Sequence, residues 1–141
     1  MSAITDVCGK QYQGVPMGSA IKERATVICR QDDKILFVRK ARRKWNLPGG
    51  RIEANEAPRQ AAQRELAEET GLQVEAMAYL APLELYQTLH YVFETALPEP
   101  QNPQPQNEIA DCRWFSLDEL AKRNVNKAIK RLLKDCQRPP Q

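Results

Sequence analysis

Residues 45–72 read WNLPGGRIEANEAPRQAAQRELAEETGL, and this stretch decides the fold. Its opening, from Trp45 to Gly50, is a loop: Pro48 lacks a backbone donor and the paired glycines permit unusual backbone angles. Pro58 suits the first turn of a helix, where a missing N–H is harmless. From Arg59 onward the chain uses Ala, Gln, Arg, Glu and Leu, all good helix formers. Gly71 stands where a left-handed C-terminal cap belongs. The spacing predicts a helix over 58–70.

That helix places Glu65, Glu68 and Glu69 at i, i+3 and i+4, on one face. Like charges so placed repel by roughly 0.2–0.5 kcal/mol per pair in an exposed helix. Two readings fit the pattern. One is a solvated acidic face; the other is three carboxylates gathered for a hard divalent cation, Mg²⁺ or Mn²⁺. Arg64 is placed to fix one acid by a bidentate contact. Glu53 and Glu56 add acids at the loop–helix junction, near the positive end of the helix dipole.

Outward from this segment the chain alternates strands and helices without internal repeats. Residues 25–30 (ATVICR) and 34–39 (KILFVR) are apolar and β-branched around Gln31-Asp32-Asp33, the pattern of a hairpin. Strand-like runs follow at 73–85 and 88–96. The segment LPEPQNPQPQN, residues 97–107, is a Pro-rich surface loop, read as a mobile connection or as a lid over the site. A strand resumes at 109–115, Ser116 is placed to cap a short helix over 117–122, and an amphipathic helix closes the chain over 124–135. This order implies an α/β fold with a mixed sheet covered by helices. The expected organisation is an N-terminal segment over 1–21 (a tail, an edge strand or a dimer-exchange arm), one domain over 22–136, and a tail over 137–141.

At 141 residues the chain has the length of one domain. No apolar run approaches the roughly 18–20 residues that span a bilayer, and the first residues lack the order of a signal peptide, so a soluble cytoplasmic protein is expected. The four cysteines form no CxxC pair and His90 is the only histidine, which argues against zinc. Cys29 and Cys112 lie in apolar runs and read as buried thiols. Between residues 34 and 51 the chain carries Lys34, Arg39, Lys40, Arg42, Arg43, Lys44 and Arg51 with no acid, a distribution that steers polyanions. The basic stripe of the last helix reads as a solvated face rather than a nucleic-acid surface.

Gly50, Glu56, Arg64-Glu65-Leu66, Glu68-Glu69 and Gly71-Leu72 match every defined position of the Nudix box. A chance match in a chain this size is on the order of one in ten million. The flanks ILFVRKA, WNLPGGRIE and DCRWFSLDEL are similar too, so the chain resembles the Nudix hydrolases over roughly residues 22–136. The resemblance implies an α/β/α sandwich with a catalytic loop–helix–loop. It also implies Mg²⁺-dependent hydrolysis of a nucleoside diphosphate linked to a moiety X, such as a nucleoside triphosphate or a nucleotide sugar.

Carried over by position, Glu65, Glu69 and the Gly49 carbonyl become metal ligands, and Glu68 a ligand or the general base. Glu56 and Arg64 hold the box together, and Glu53 is an auxiliary candidate. Arg39, ending its strand, and then Arg43 are the expected phosphate contacts. Glu108, six residues before Trp114, matches where similar enzymes place an extra metal-binding or basic carboxylate; a solvent-exposed loop acid is the other reading.

The substrate markers of the family are missing. Gln87 replaces the proline of many ADP-ribose hydrolases, and Thr88 and Leu89 replace the tyrosine of many dinucleoside-polyphosphate hydrolases. Asn124 or Asn126 is placed to read a purine edge or to cap the last helix, and Trp45 and Tyr12 to stack on a base or to pack. Two other classes of function remain at this point: a hydrolase of non-nucleotide diphosphates such as inositol pyrophosphates, and an inactive binding regulator, against which the complete box argues.

Overall fold

The computed structural model describes residues 21–136 and, ahead of them, the backbone of two short antiparallel strands, β1 (Ile4–Thr5) and β2 (Gln11–Tyr12). The rest of the expected N-terminal segment, with Cys8, and the tail over 137–141 lie outside the described residues.

The sheet is organised around β3 (Lys22–Gln31), whose residues 25–29 are buried on both faces, the mark of a central strand. Asp32, at a left-handed φ of 57°, turns the chain into β4 (Lys34–Lys40). The expected hairpin is short. Only Arg30 with Ile35 and Gln31 with Lys34 pair before β4 leaves. Its place along the N-terminal half of β3 is taken by β5 (Gly49–Arg51), whose glycines allow a close backbone approach. The fork is stitched by the loop before β5. Val27 N–H donates to the Pro48 carbonyl at 2.9 Å, and Val38 exchanges two 2.8 Å bonds with Asn46.

Helix α1 spans Pro58–Thr70, the range its sequence predicts. Gln60 Oε1 accepts the Ala57 N–H at 2.9 Å at its start, and Gly71, at φ 78°, donates to the Ala67 carbonyl at its end. Ala61, Ala62 and Leu66 bury a narrow stripe in one core with Ala25, Val27 and Cys29; small side chains keep the helix close to the sheet. The strand expected from residue 73 begins only at β6 (Ala78–Leu85). Gln63 Nε2 donates to the carbonyls of Val74 and Glu75, and Arg59 to that of Met77, so this backbone is committed to the helix.

β6 pairs antiparallel with β7 (Thr88–Ala96), and β7 runs parallel to β3 from Thr88 opposite Lys22 to Ala96 opposite Arg30. β4 pairs antiparallel with β8 (Ile109–Ser116), completing the order β6-β7-β3-β4-β8 with β5 alongside β3. Ser116 ends β8 instead of capping a helix: its N–H and hydroxyl both donate to Glu119 Oε1, and a 3₁₀ turn follows over Asp118–Lys122. The last helix, α2, covers Lys127–Cys136. It starts later than expected because Asn124 O and Asn126 N–H are bonded to Trp45, and Asn126 Oδ1 accepts the Ala128 N–H. Ile129, Leu132 and Leu133 pack with Ile28, Phe37 and Phe115 in a second core. The result is a mixed sheet between two helices, the expected α/β/α sandwich. Among the described residues no helix is long and apolar enough to cross a membrane.

Cys29 is fully buried and burial pushes its thiol up to about 12. Cys112 is half-buried and raised to about 11, by burial first and then by Asp111 and Glu69. The expected burial therefore holds for Cys29, whereas Cys112 is only half-buried because it lies on β8 at the edge of the sheet.

Candidate active site

The fork between β3 and β4 opens a cavity of about 970 Å³. α1 lends it Glu65, Glu68 and Glu69, β5 lends Gly49 and Gly50, and β4 with the turn after it lends Arg39, Lys40 and Arg43. Glu108 lines the same space. The sequence-predicted residues therefore come together although they span seventy positions of the chain.

Each is positioned by identifiable contacts. Glu69 Oε1 accepts the Gly49 N–H at 3.0 Å, tying the C-terminal half of α1 to the head of β5. Partial burial pushes the Glu69 carboxyl up to about 7, against the Gly49 bond and the charge of Arg24, which lower it. The space above Gly50 belongs to Glu65: a Cβ there would lie 2.5–2.7 Å from its carboxylate. Arg64 organises the remaining acids. It grips Glu56 with two bonds of 2.7 and 3.0 Å, holds Glu65 Oε1 at 2.7 Å, approaches Glu68 at 3.3 Å and donates to the Arg51 carbonyl. Glu53 is exposed and stands 3.8 Å from Arg64.

The grip on Glu56 has a measurable consequence. The Arg64 bond first, and then the Glu53 N–H, hold the Glu56 carboxyl down at about 2. A depressed carboxylate contributes in full above its unfolded value of about 4.5, and the contribution fades as pH falls toward 2. Glu56→Gln is expected to destabilise the protein at pH 7 by roughly 1–2 kcal/mol, the scale of a charged hydrogen bond. Thermal unfolding of both proteins from pH 7 to pH 3 should show the gap closing in acid. A gap that stays constant would mean the bond does not depend on ionised Glu56.

On the basic side, Arg39 is fixed twice, 4.6 Å above the Trp45 ring and 3.8 Å from Asp111. Trp45 itself is buried and packs edge-on against Phe115 at 5.0 Å, so it belongs to the core and not to a base-stacking site. Lys40 pairs with Glu108 at 3.0 Å. Tyr12 has no described side chain, and Asn124 does not reach the cavity.

A second cavity of about 350 Å³ adjoins the first and shares Arg24, Asn46 and Asn126 with it. His90, Thr88 and the exposed Tyr86 line its far part. Arg24 donates to Thr26 Oγ1 and to the Leu47 carbonyl, and Thr26 Oγ1 in turn meets His90 Nδ1 at 2.8 Å. Burial lowers His90 to about 4, so it is neutral at pH 7. Sequence reading missed Arg24, whose one signal was its place in the charged triplet Lys22-Glu23-Arg24 heading an apolar run. It also missed Asn46 and Asn107, which lie in loops without periodicity.

The donor set suits a divalent cation: three carboxylates and the Gly49 carbonyl are all hard oxygen ligands. Among the described residues no three acids already converge at ligand distance, because Arg64 holds Glu65 and Glu68 while Gly49 N–H holds Glu69.

The NUDIX domain model matches residues 21–136. The phosphatase NudJ of Shigella boydii is 33% identical over 113 residues, covering 72% of this chain and 73% of that protein. A solved nudix hydrolase family member from Chromobacterium violaceum aligns with a TM-score of 0.71 and 30% identity, over 86% of this chain and 78% of its own. An ADP-ribose pyrophosphatase from Streptococcus suis aligns at 0.67 and 27%, over 77% and 82%.

Proposed function

This chain belongs to the Nudix family, and from that premise we propose that it hydrolyses, with Mg²⁺, the diphosphate linkage of a nucleoside diphosphate joined to a moiety X. The observation that carries the reading is the shared cavity, in which clustered carboxylates on α1 meet cations from β4 and its turn. Such a mixture suits a polyanion bridged to the protein by divalent ions.

Glu65, Glu68, Glu69 and the Gly49 carbonyl would hold the metal. Arg64 donates to Glu65 Oε1 and leaves Glu65 Oε2 open, while Glu56 and the Arg51 carbonyl are further partners of Arg64. A bound divalent ion would supply screening of the diphosphate charge and acidification of the attacking water. Arg39 and Arg43 attract the phosphate oxygens and stabilise charge on the leaving group. Glu68 or Glu108 takes the proton of the water as its oxygen joins phosphorus and the bridging P–O bond breaks. The adjoining cavity accommodates the nucleoside. Asn126 Oδ1 is committed to Ala128, leaving its amide hydrogens to donate to a base. The name of the NudJ relative, a phosphatase, supports release of a phosphate-bearing fragment.

A second reading rests on the cations Arg39, Lys40, Arg42, Arg43, Lys44 and Arg51, which together line the main cavity and suit a more highly phosphorylated ligand such as an inositol pyrophosphate. A screen over nucleoside triphosphates, nucleotide sugars, dinucleoside polyphosphates and inositol pyrophosphates, with Mg²⁺ and with chelator and with products resolved by anion-exchange chromatography, separates the two. Turnover of a nucleotide that chelator abolishes is the expected result. Turnover of inositol pyrophosphates alone would move the conclusion to the second reading, and metal-independent turnover would remove the metal assignment.

A further inference from the structure

The Pro-rich segment 97–107 is not a free connection, because hydrogen bonds tie it to β3 and to α1. It crosses the C-terminal end of α1 and supplies the donors that this end lacks. The last turn of a helix leaves carbonyls without intrahelical partners, and α1 has no basic side chain in its last turn to cover them. The segment does so instead. Gln104 N–H donates to Thr70 O at 2.9 Å, Gln106 N–H to Glu69 O at 3.1 Å, and Asn107 Nδ2 to Glu68 O at 2.6 Å. Its ends are anchored as well, by the buried Leu97, whose N–H bonds Arg30 O, and by the buried Ile109. Pro98, Pro100, Pro103 and Pro105 restrict the unfolded chain and so reduce the entropy lost on laying it down.

Two of the three carbonyls held belong to Glu68 and Glu69, and the residue after Asn107 is Glu108. We infer that this segment is a strap that sets the acids of the main cavity relative to one another, with Asn107 as its positioning residue. Asn107 registers the backbone of Glu68 against the peptide that carries Glu108. It sits at φ 56°, a left-handed conformation that Asn tolerates, so its amide reaches back to α1 without strain. The inference rests on the metal-binding role proposed for Glu68 and Glu69.

The test measures Mn²⁺ binding to the whole protein by electron paramagnetic resonance, without substrate, together with kcat, KM and Tm. Asn107→Gly keeps the backbone angle and removes the donor; Asn107→Asp keeps the shape and sets an acceptor against the Glu68 carbonyl. Asn107→Gly is expected to weaken Mn²⁺ about tenfold, the scale seen when a partner of a metal ligand is lost. kcat should fall with KM nearly unchanged, and Asn107→Asp should weaken Mn²⁺ at least as far. A lowered Tm with unchanged Mn²⁺ affinity would make the strap merely structural and overturn the inference. If Glu69→Gln abolishes Mn²⁺ binding while Asn107→Gly does not alter it, the functional reading stands and the strap alone falls. Absence of Mn²⁺ binding by the wild type overturns both.

Discussion

Glu69→Gln is expected to lower kcat on the order of 10³-fold, about 4 kcal/mol of barrier, while leaving the metal-free fold as stable as the wild type or more so. The two halves of that expectation come from one observation. Glu69 is half-buried beside Gly49, and its carboxyl is raised to about 7 because burial disfavours the charged form. A raised carboxyl favours the fold below about pH 4.5, and this advantage fades as pH rises through 7. At pH 8 the charged side chain is therefore a strain on the metal-free fold. Glutamine removes the charge, keeps the shape, and still offers an oxygen to the Gly49 N–H at 3.0 Å. What glutamine cannot supply is the anionic ligand. Metal-free melting at pH 8 and turnover with Mg²⁺ check the two halves separately. Near-wild-type turnover would sink the metal assignment, and a large loss of Tm would show that the charge serves the fold.

The second large effect falls on stability. Gly49→Ala is expected to destabilise the protein by about 3–5 kcal/mol, combining overpacking with backbone strain. A Cβ at Gly49 would lie 2.2 Å from the Ala25 carbonyl and 3.1 Å from Thr26 Cα, both backbone atoms of the central strand, and φ is +152°. These two backbone atoms cannot swing aside, whereas Arg24 Nη2, 3.1 Å away, is the end of a side chain. Gly50→Ala makes the informative contrast, because the nearest atoms to its Cβ belong to the Glu65 carboxylate, the end of a side chain and not backbone. That variant should fold and lose metal binding. Urea titration of both variants decides the matter: equal midpoints would mean that β5 does not press against β3 as described.

The parts of this protein legible in the sequence are those governed by local rules. The bounds of α1, its left-handed stop at Gly71 and the common face of Glu65, Glu68 and Glu69 follow from helix propensity, capping and a 3.6-residue period. That Glu56 and Arg64 hold this segment together was implied by the family resemblance and not by helix periodicity, since Glu56 precedes the helix that carries Arg64. Elsewhere partners distant in sequence decided the outcome. Residues 73–77 stand at the head of the run read as a strand, yet Arg59 and Gln63 bond the carbonyls of Val74, Glu75 and Met77, and β6 begins late. Residues 25–39 have the pattern of a long hairpin, yet β5 and β8 compete for its two strands and split them after two pairs.

The sequence by itself therefore determined the family, the bounds of α1 and the common face of its three acids, because those depend on residue identity and short spacing. Only the tertiary structure decided which residues line the cavities beside those acids. The β3–β4 fork makes the cavity, Arg24 and Asn126 join it to a second one, and the strap brings Glu108 to Lys40 and Asn107 to Glu68. Backbone donors and acceptors must be satisfied wherever they are buried, and which distant segment satisfies them is a property of the folded chain.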